Sequence, residues 1–139
     1  MSCRVLIVAG TFAAFGSIAP IHADPCEAPL PSQEGVRFSG IVRYVGDGDG
    51  LCVGKTADPN QWIEVRLADF NAPELHQPGG AAARAALKRI ALHHEVMCTT
   101  VRGRSGRVIS YDRLIARCLI GSNSIGDLLR RTGIAEGGN

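Results

Sequence analysis

From Phe38 onward, apolar and polar residues alternate in short runs broken by glycine, proline and aspartate, a pattern of half-buried strands rather than of a helical bundle. Phe38 to Val45 (FSGIVRYV) is rich in β-branched and aromatic residues and predicts the first strand. Gly46-Asp47-Gly48-Asp49-Gly50 predicts a tight turn, because glycine accepts positive φ and aspartate tolerates it. Leu51 to Val53 is a short second strand, with Cys52 on the face opposite Leu51 and Val53. A loop around Asp58-Pro59 leads to Gln61–Leu67, where Trp62, Glu64 and Arg66 alternate with Ile63, Val65 and Leu67.

Asp69 to Gly80 is a loop built around Ala72-Pro73-Glu74. Ala81 to His93 then changes period: alanine and leucine dominate, and Ala83, Leu87, Ile90 and Ala91 form a stripe at helical spacing. Strand character returns at Glu95–Val101 and at Leu114–Ile120, on either side of a basic turn at Arg102–Gly106. Ser124 can cap a last helix, Ile125 to Arg131, which Gly133 ends. Three strands, a helix, two strands and a helix predict a mainly β chain with helices (α+β): an OB-fold, a five-stranded Greek-key barrel with one helix after the third strand and a short C-terminal helix.

Composition agrees with one small domain. The chain has 139 residues, and its 17 glycines and 7 prolines favour turns. A formal net charge of +2 is too small to name a partner. Residues 1–23 read as a secretory signal peptide: Met1-Ser2-Cys3-Arg4 is a short positive start, Val5 to Ala19 is apolar or small, and Ala23 precedes the expected cut. The apolar run is shorter than the roughly 20 residues a membrane span needs, so a periplasmic or secreted location is expected rather than anchoring. Residues 24–37 form an irregular arm with three prolines between Asp24 and Glu34, 38–134 the folded domain and 135–139 a tail.

Export gives the cysteines a meaning. Cys26, Cys52, Cys98 and Cys118 remain after cleavage, and an even count in an oxidising compartment reads as two disulfides with three possible pairings. No C-x-x-C occurs, which disfavours structural zinc. Cys98 and Cys118 fall on consecutive strands that can pair, and Cys52 faces outward, where Cys26 of the arm can reach it. The expected bridges are therefore Cys98–Cys118 and Cys26–Cys52.

Three segments carry polar groups that a core alone would not explain. Asp47 and Asp49 bring two carboxylates together in one turn, and a hard divalent cation relieves such repulsion. Arg66 ends a strand eight residues before Glu74, whose backbone Pro73 constrains. Arg113 opens a strand after Tyr111-Asp112, and a planar guanidinium suits phosphate oxygens. Acid pair, two arginines and a glutamate together are the set that phosphodiester hydrolysis requires. Arg102, Arg104 and Arg107 make a basic loop suited to phosphate contact, and Tyr111 can stack on a base. His93 and His94 suit the C-terminal end of a helix, and His76 reads as a loop histidine.

On Gly46-Asp47-Gly48-Asp49, Arg66-Leu67 through Ala72-Pro73-Glu74, and Asp112-Arg113 through Ala116-Arg117-Cys118, the chain resembles the staphylococcal-nuclease (thermonuclease) family, over about residues 38–134. The resemblance implies an OB-fold nuclease that uses calcium and acts on DNA or RNA. It makes Arg66 and Arg113 the phosphate-binding arginines and Glu74 the general base. Asp49 becomes a metal ligand, and Asp47 a supporting acid. The family's second metal aspartate falls at Asn71, an uncharged oxygen donor, and Asp69 could supply the missing charge. The family's Tyr-Gly-Arg is here Tyr111-Asp112-Arg113, which adds an acid beside the second arginine. The expected function is a secreted, calcium-dependent endonuclease or phosphodiesterase. Its alternatives are a degenerate module that binds nucleic acid or protein without cutting, favoured by Asn71, and a structural barrel.

Overall fold

The computed structural model describes residues 24–137; the expected signal segment, 1–23, and the last two residues of the expected tail lie outside the described residues. Seven strands and two helices follow in order: β1 (Arg37–Val45), β2 (Gly50–Gly54), β3 (Ile63–Leu67), α1 (Gly80–Ala91), β4 (Glu95–Thr100), β5 (Ile109–Ser110), β6 (Arg113–Ile120), β7 (Asn123–Ser124) and α2 (Ile125–Arg131). Strands β3, β2, β1, β4 and β6 lie side by side, and β6 returns to pair with β3. The result is a closed five-stranded mixed barrel, the expected α+β OB-fold. The closing pair is parallel, with Val65 beside Leu114, Arg66 beside Ile115 and Leu67 beside Ala116. Its neighbours on both sides are antiparallel.

Alternation explains which side chains fill the barrel. Val42 and Val45 of β1, Leu51 and Val53 of β2, Val65 and Leu67 of β3, and Val96 of β4 are buried in one apolar cluster. Ala83, Ala86, Leu87 and Ala91 of α1 close the cluster from one end, while Ile90 is only partly buried. Each valine or leucine fully withdrawn from water contributes about 1.5–3 kcal/mol. Gly48 lets the turn after β1 press against this end: a Cβ there would stand 2.5 Å from the Ala72 Cβ and 2.6 Å from that of Ala83.

Several expected boundaries move by a residue or two; α1 ends at Ala91 rather than His93, whose φ of 68° lies outside the helix. Gln61 belongs to a 3-10 turn, Pro59–Gln61, so β3 begins at Ile63. Asp58 caps that turn by accepting from the Asn60 N–H, and Pro59 presets its first φ. Trp62 then lies over Gly54 with its indole Nε1 donating to the Thr56 carbonyl at 2.8 Å. The two-residue strands β5 and β7 are additions to the expected set, and both are short partners of β6.

Both expected disulfides are formed. Cys98 and Cys118 are directly opposed on β4 and β6 inside the core. Cys52 is buried outside the apolar cluster, because the arm crosses it and bonds through Cys26. Glu27 and Ala28 donate to the Pro59 and Trp62 carbonyls, so this stretch of the arm is fixed against the approach to β3. Native bridges in small domains are worth about 2–5 kcal/mol each. Among the described residues no helix is long and apolar enough to cross a membrane.

Candidate active site

The parallel closure of β3 on β6 is what assembles the site. Val65 and Leu67 point inward with Leu114 and Ala116, so Glu64 and Arg66 project outward beside Arg113 and Ile115. In this register Arg113 neighbours Glu64, and Arg66 lies one diagonal step away. Arg66, Glu74 and Arg113, expected from the sequence to act together, line a single cleft of about 700 Å³. Asp69, Asn71, Tyr111, Arg102 and Arg104 line it too. Five arginines and three acids lie in this lining, and among the described residues every one of those arginines except Arg104 is paired with an acid.

Arg66 is held on two sides. Its Nη2 donates to Asn71 Oδ1 at 2.8 Å and lies 3.7 Å from Asp49 Oδ2. Asp49 is only 5% exposed, and its Oδ2 also accepts the Ala72 N–H at 2.9 Å. Burial, then the Asp47 carboxylate, push the Asp49 carboxyl up to about 6, against the pull of Ala72 and Arg66. Asp47 folds back within the turn to accept the Asp49 N–H at 3.1 Å and faces Arg113 Nη1 at 3.7 Å. The two acids of the turn therefore each face one of the two arginines.

Arg113 follows a two-residue hairpin turn, since Ser110 pairs with it across Tyr111 and Asp112. Both turn residues have positive φ, 49° and 64°, a conformation that L side chains other than asparagine and aspartate seldom adopt. The turn throws Tyr111 outward, 92% exposed, at the mouth of the cleft. On the other side of Arg113 lies Glu64. Burial first, then the carboxyl of Asp24 in the arm, push Glu64 up to about 7, and Arg113 opposes the rise.

Glu74 is exposed on the loop ahead of α1, and among the described residues no hydrogen bond or ion pair engages its carboxylate. Gly80 makes that loop possible, for a Cβ there would fall 2.0 Å from the Glu74 carbonyl oxygen. A glutamate so placed is available to accept a proton from water in the cleft.

Several of the other expected residues are engaged by their neighbours. Asn71 Oδ1 serves Arg66, and Asn71 Nδ2 donates to the Gly137 carbonyl at 2.8 Å. The Asp69 carboxylate is 3.7 Å from Arg117 Nε, packed against Gly126, and both its oxygens are buried without a hydrogen-bond donor. Arg102 donates to Glu34 of the arm at 2.9 Å and to the Gly106 carbonyl at 2.7 Å, which leaves Arg104 the freer of the two loop arginines. Calcium takes six to eight oxygens. Among the described residues no three acids, histidines or cysteines converge on one point. Asp49 and Asp47 are the acids a divalent cation at the turn would engage; neither lines the cleft, and each already faces an arginine.

Arg130, Glu136, Ser105 and Ser110 also line the cleft, and the sequence did not single them out. Arg130 stacks at 5.9 Å over Phe70 and donates to the Asp69 carbonyl. Nothing in the local pattern of Leu129-Arg130-Arg131 separates it from an ordinary helix-end cation. No protein-family model and no curated protein matches the chain.

Proposed function

We propose that the chain is a phosphodiester hydrolase of the staphylococcal-nuclease type acting on DNA or RNA. The observation that carries this reading is the convergence of Arg66, Arg113 and Glu74 on one cleft, although 47 residues separate the two arginines. The two guanidinium groups grip non-bridging oxygens of a backbone phosphate and neutralise charge as it accumulates there. Glu74 takes a proton from a water molecule, whose oxygen bonds to phosphorus as the bond to the departing sugar oxygen breaks; solvent returns a proton to that oxygen. Asp49 and Asp47 would hold a divalent cation, calcium by the family resemblance, which would polarise the phosphate further. Tyr111 at the cleft mouth offers a ring for base stacking, and Arg104 adds a sequence-independent phosphate contact. Two disulfides support export to the periplasm or the exterior.

Glu74→Gln tests the assignment. Turnover of a single-stranded oligonucleotide is expected to fall by about 10²–10⁴, with KM little changed, because general-base catalysis is lost while both arginines stay. Wild-type turnover in the variant would remove Glu74 from the mechanism. A second reading, a module that binds nucleic acid without cutting, draws on the engagement of Asn71 by Arg66, which leaves the turn one ligand poorer. Tight oligonucleotide binding with no fragments under any divalent ion would favour it.

A further inference from the structure

The far end of the cleft holds an anion of the chain's own. Residues 134–137 run back from α2 along the loop before Glu74. Gly137 N–H donates to the Asn71 carbonyl at 2.7 Å, and Asn71 Nδ2 donates to the Gly137 carbonyl. Just before these tethers the Glu136 carboxylate reaches into the cleft. Its Oε1 accepts the Asn71 backbone N–H at 3.0 Å and lies 3.5 Å from Arg130 Nη2. A backbone N–H and a guanidinium converging on one oxygen form an anion-recognition pair. Asn71 joins this pair directly to Arg66, since its side-chain oxygen accepts from that guanidinium at 2.8 Å.

We propose that Asn71 N–H and Arg130 form a second phosphate subsite, covered in the resting chain by Glu136. The proposal deepens the hydrolytic reading and rests on it for the ligand: a backbone phosphate neighbouring the one gripped by Arg66 and Arg113. Glu136 competes as a tethered ligand, whose effective concentration is of millimolar order. A phosphate must displace it, and displacement needs only a side-chain rotation, because the Gly137 bonds hold the strap without it. Asp127, 3.0 Å from Arg130, keeps that guanidinium in place once Glu136 leaves.

The test reads the Asn71 backbone amide by NMR while inorganic phosphate is added to the full chain in the presence of chelator. In Glu136→Ala the resonance should shift saturably, with a midpoint about tenfold below that of the wild type, as expected when a tethered competitor is removed. Adding Arg130→Gln to that variant should abolish the saturable shift. The same midpoint in wild type and Glu136→Ala, or a shift that survives Arg130→Gln, would overturn the proposal. Amide dispersion in the same spectra shows that each variant is folded. Neither readout needs a cleaved bond, so failure of the hydrolytic reading is distinguished from failure of this one.

Discussion

Arg66 and Arg113 stand one diagonal step apart on the same closing pair of strands, yet the chain secures them differently. Arg66 leaves the end of a strand already fixed by the barrel on both sides, and a buried acid and an amide hold its head. Arg113 begins its strand, directly after two residues of positive φ, and shares a half-exposed environment with Asp47, Glu64 and Asp24. The first arrangement is a rigid fork whose partners have little freedom. The second is set in part by Glu64, whose carboxyl is raised to about 7, and by a strained turn, so its position is open to adjustment by pH and by the arm.

The largest expected contrast is in stability. Arg66→Ala deprives the buried Asp49 of its nearest cation and Asn71 Oδ1 of its donor, an expected loss of about 1–3 kcal/mol. The loss should be greater at pH 8 than at pH 5, because Asp49, raised to about 6, is neutral at the lower pH. Arg113→Ala breaks a pair whose side chains are both 23% exposed, and should cost no more than about 1 kcal/mol. Urea unfolding of the two variants at both pH values measures the difference. Equal losses would erase the proposed distinction.

A smaller effect comes from Glu64. Its ordinary value of 4.5 is raised to about 7 in the folded chain, so folding retains a proton that the unfolded chain has released between those values. Stability is therefore expected to fall as pH rises through that window. Asp24→Asn removes one cause of the rise and should shrink the difference between urea midpoints at pH 5 and pH 8, measured with chelator. An unchanged difference would detach the arm from Glu64. The smallest effect belongs to the turn: Tyr111→Gly relieves a side chain held at φ 49° and should stabilise the fold by about 0.5–1 kcal/mol, read as a rise in Tm.

Local pattern made most of the fold legible. The alternation of Phe38–Val45 and of Gln61–Leu67, the alanine stripe of α1 and the Ser124 cap depend on neighbours a few residues away, and each element forms within about two residues of its expected bounds. The cysteines were equally readable, since opposed positions on adjacent strands allow few pairings. The parallel closure of β3 on β6 left no local mark, because register between strands almost fifty residues apart is fixed only by the whole barrel. Motif order nevertheless pointed to Arg66, Glu74 and Arg113, and all three reach the cleft. What sequence missed was the partner of each polar group. Asn71 read as an oxygen donor for a metal, yet that oxygen bonds to Arg66, and its amide nitrogen to a tail 66 residues away. Glu64 read as one more outward strand residue, and only the disulfide-held arm brings Asp24 to it.

The two unlike arginines are proposed to act on one phosphate. A double-mutant cycle on turnover of a single-stranded oligonucleotide, with calcium present, tests this most directly. Arg66→Ala and Arg113→Ala should each lower kcat by about 10²–10³, the scale of losing one charge-stabilising donor. If both groups grip the same transition state, the double variant should fall well short of the product of the single effects. Fully multiplicative losses, or a wild-type chain that leaves the oligonucleotide intact, would contradict the account.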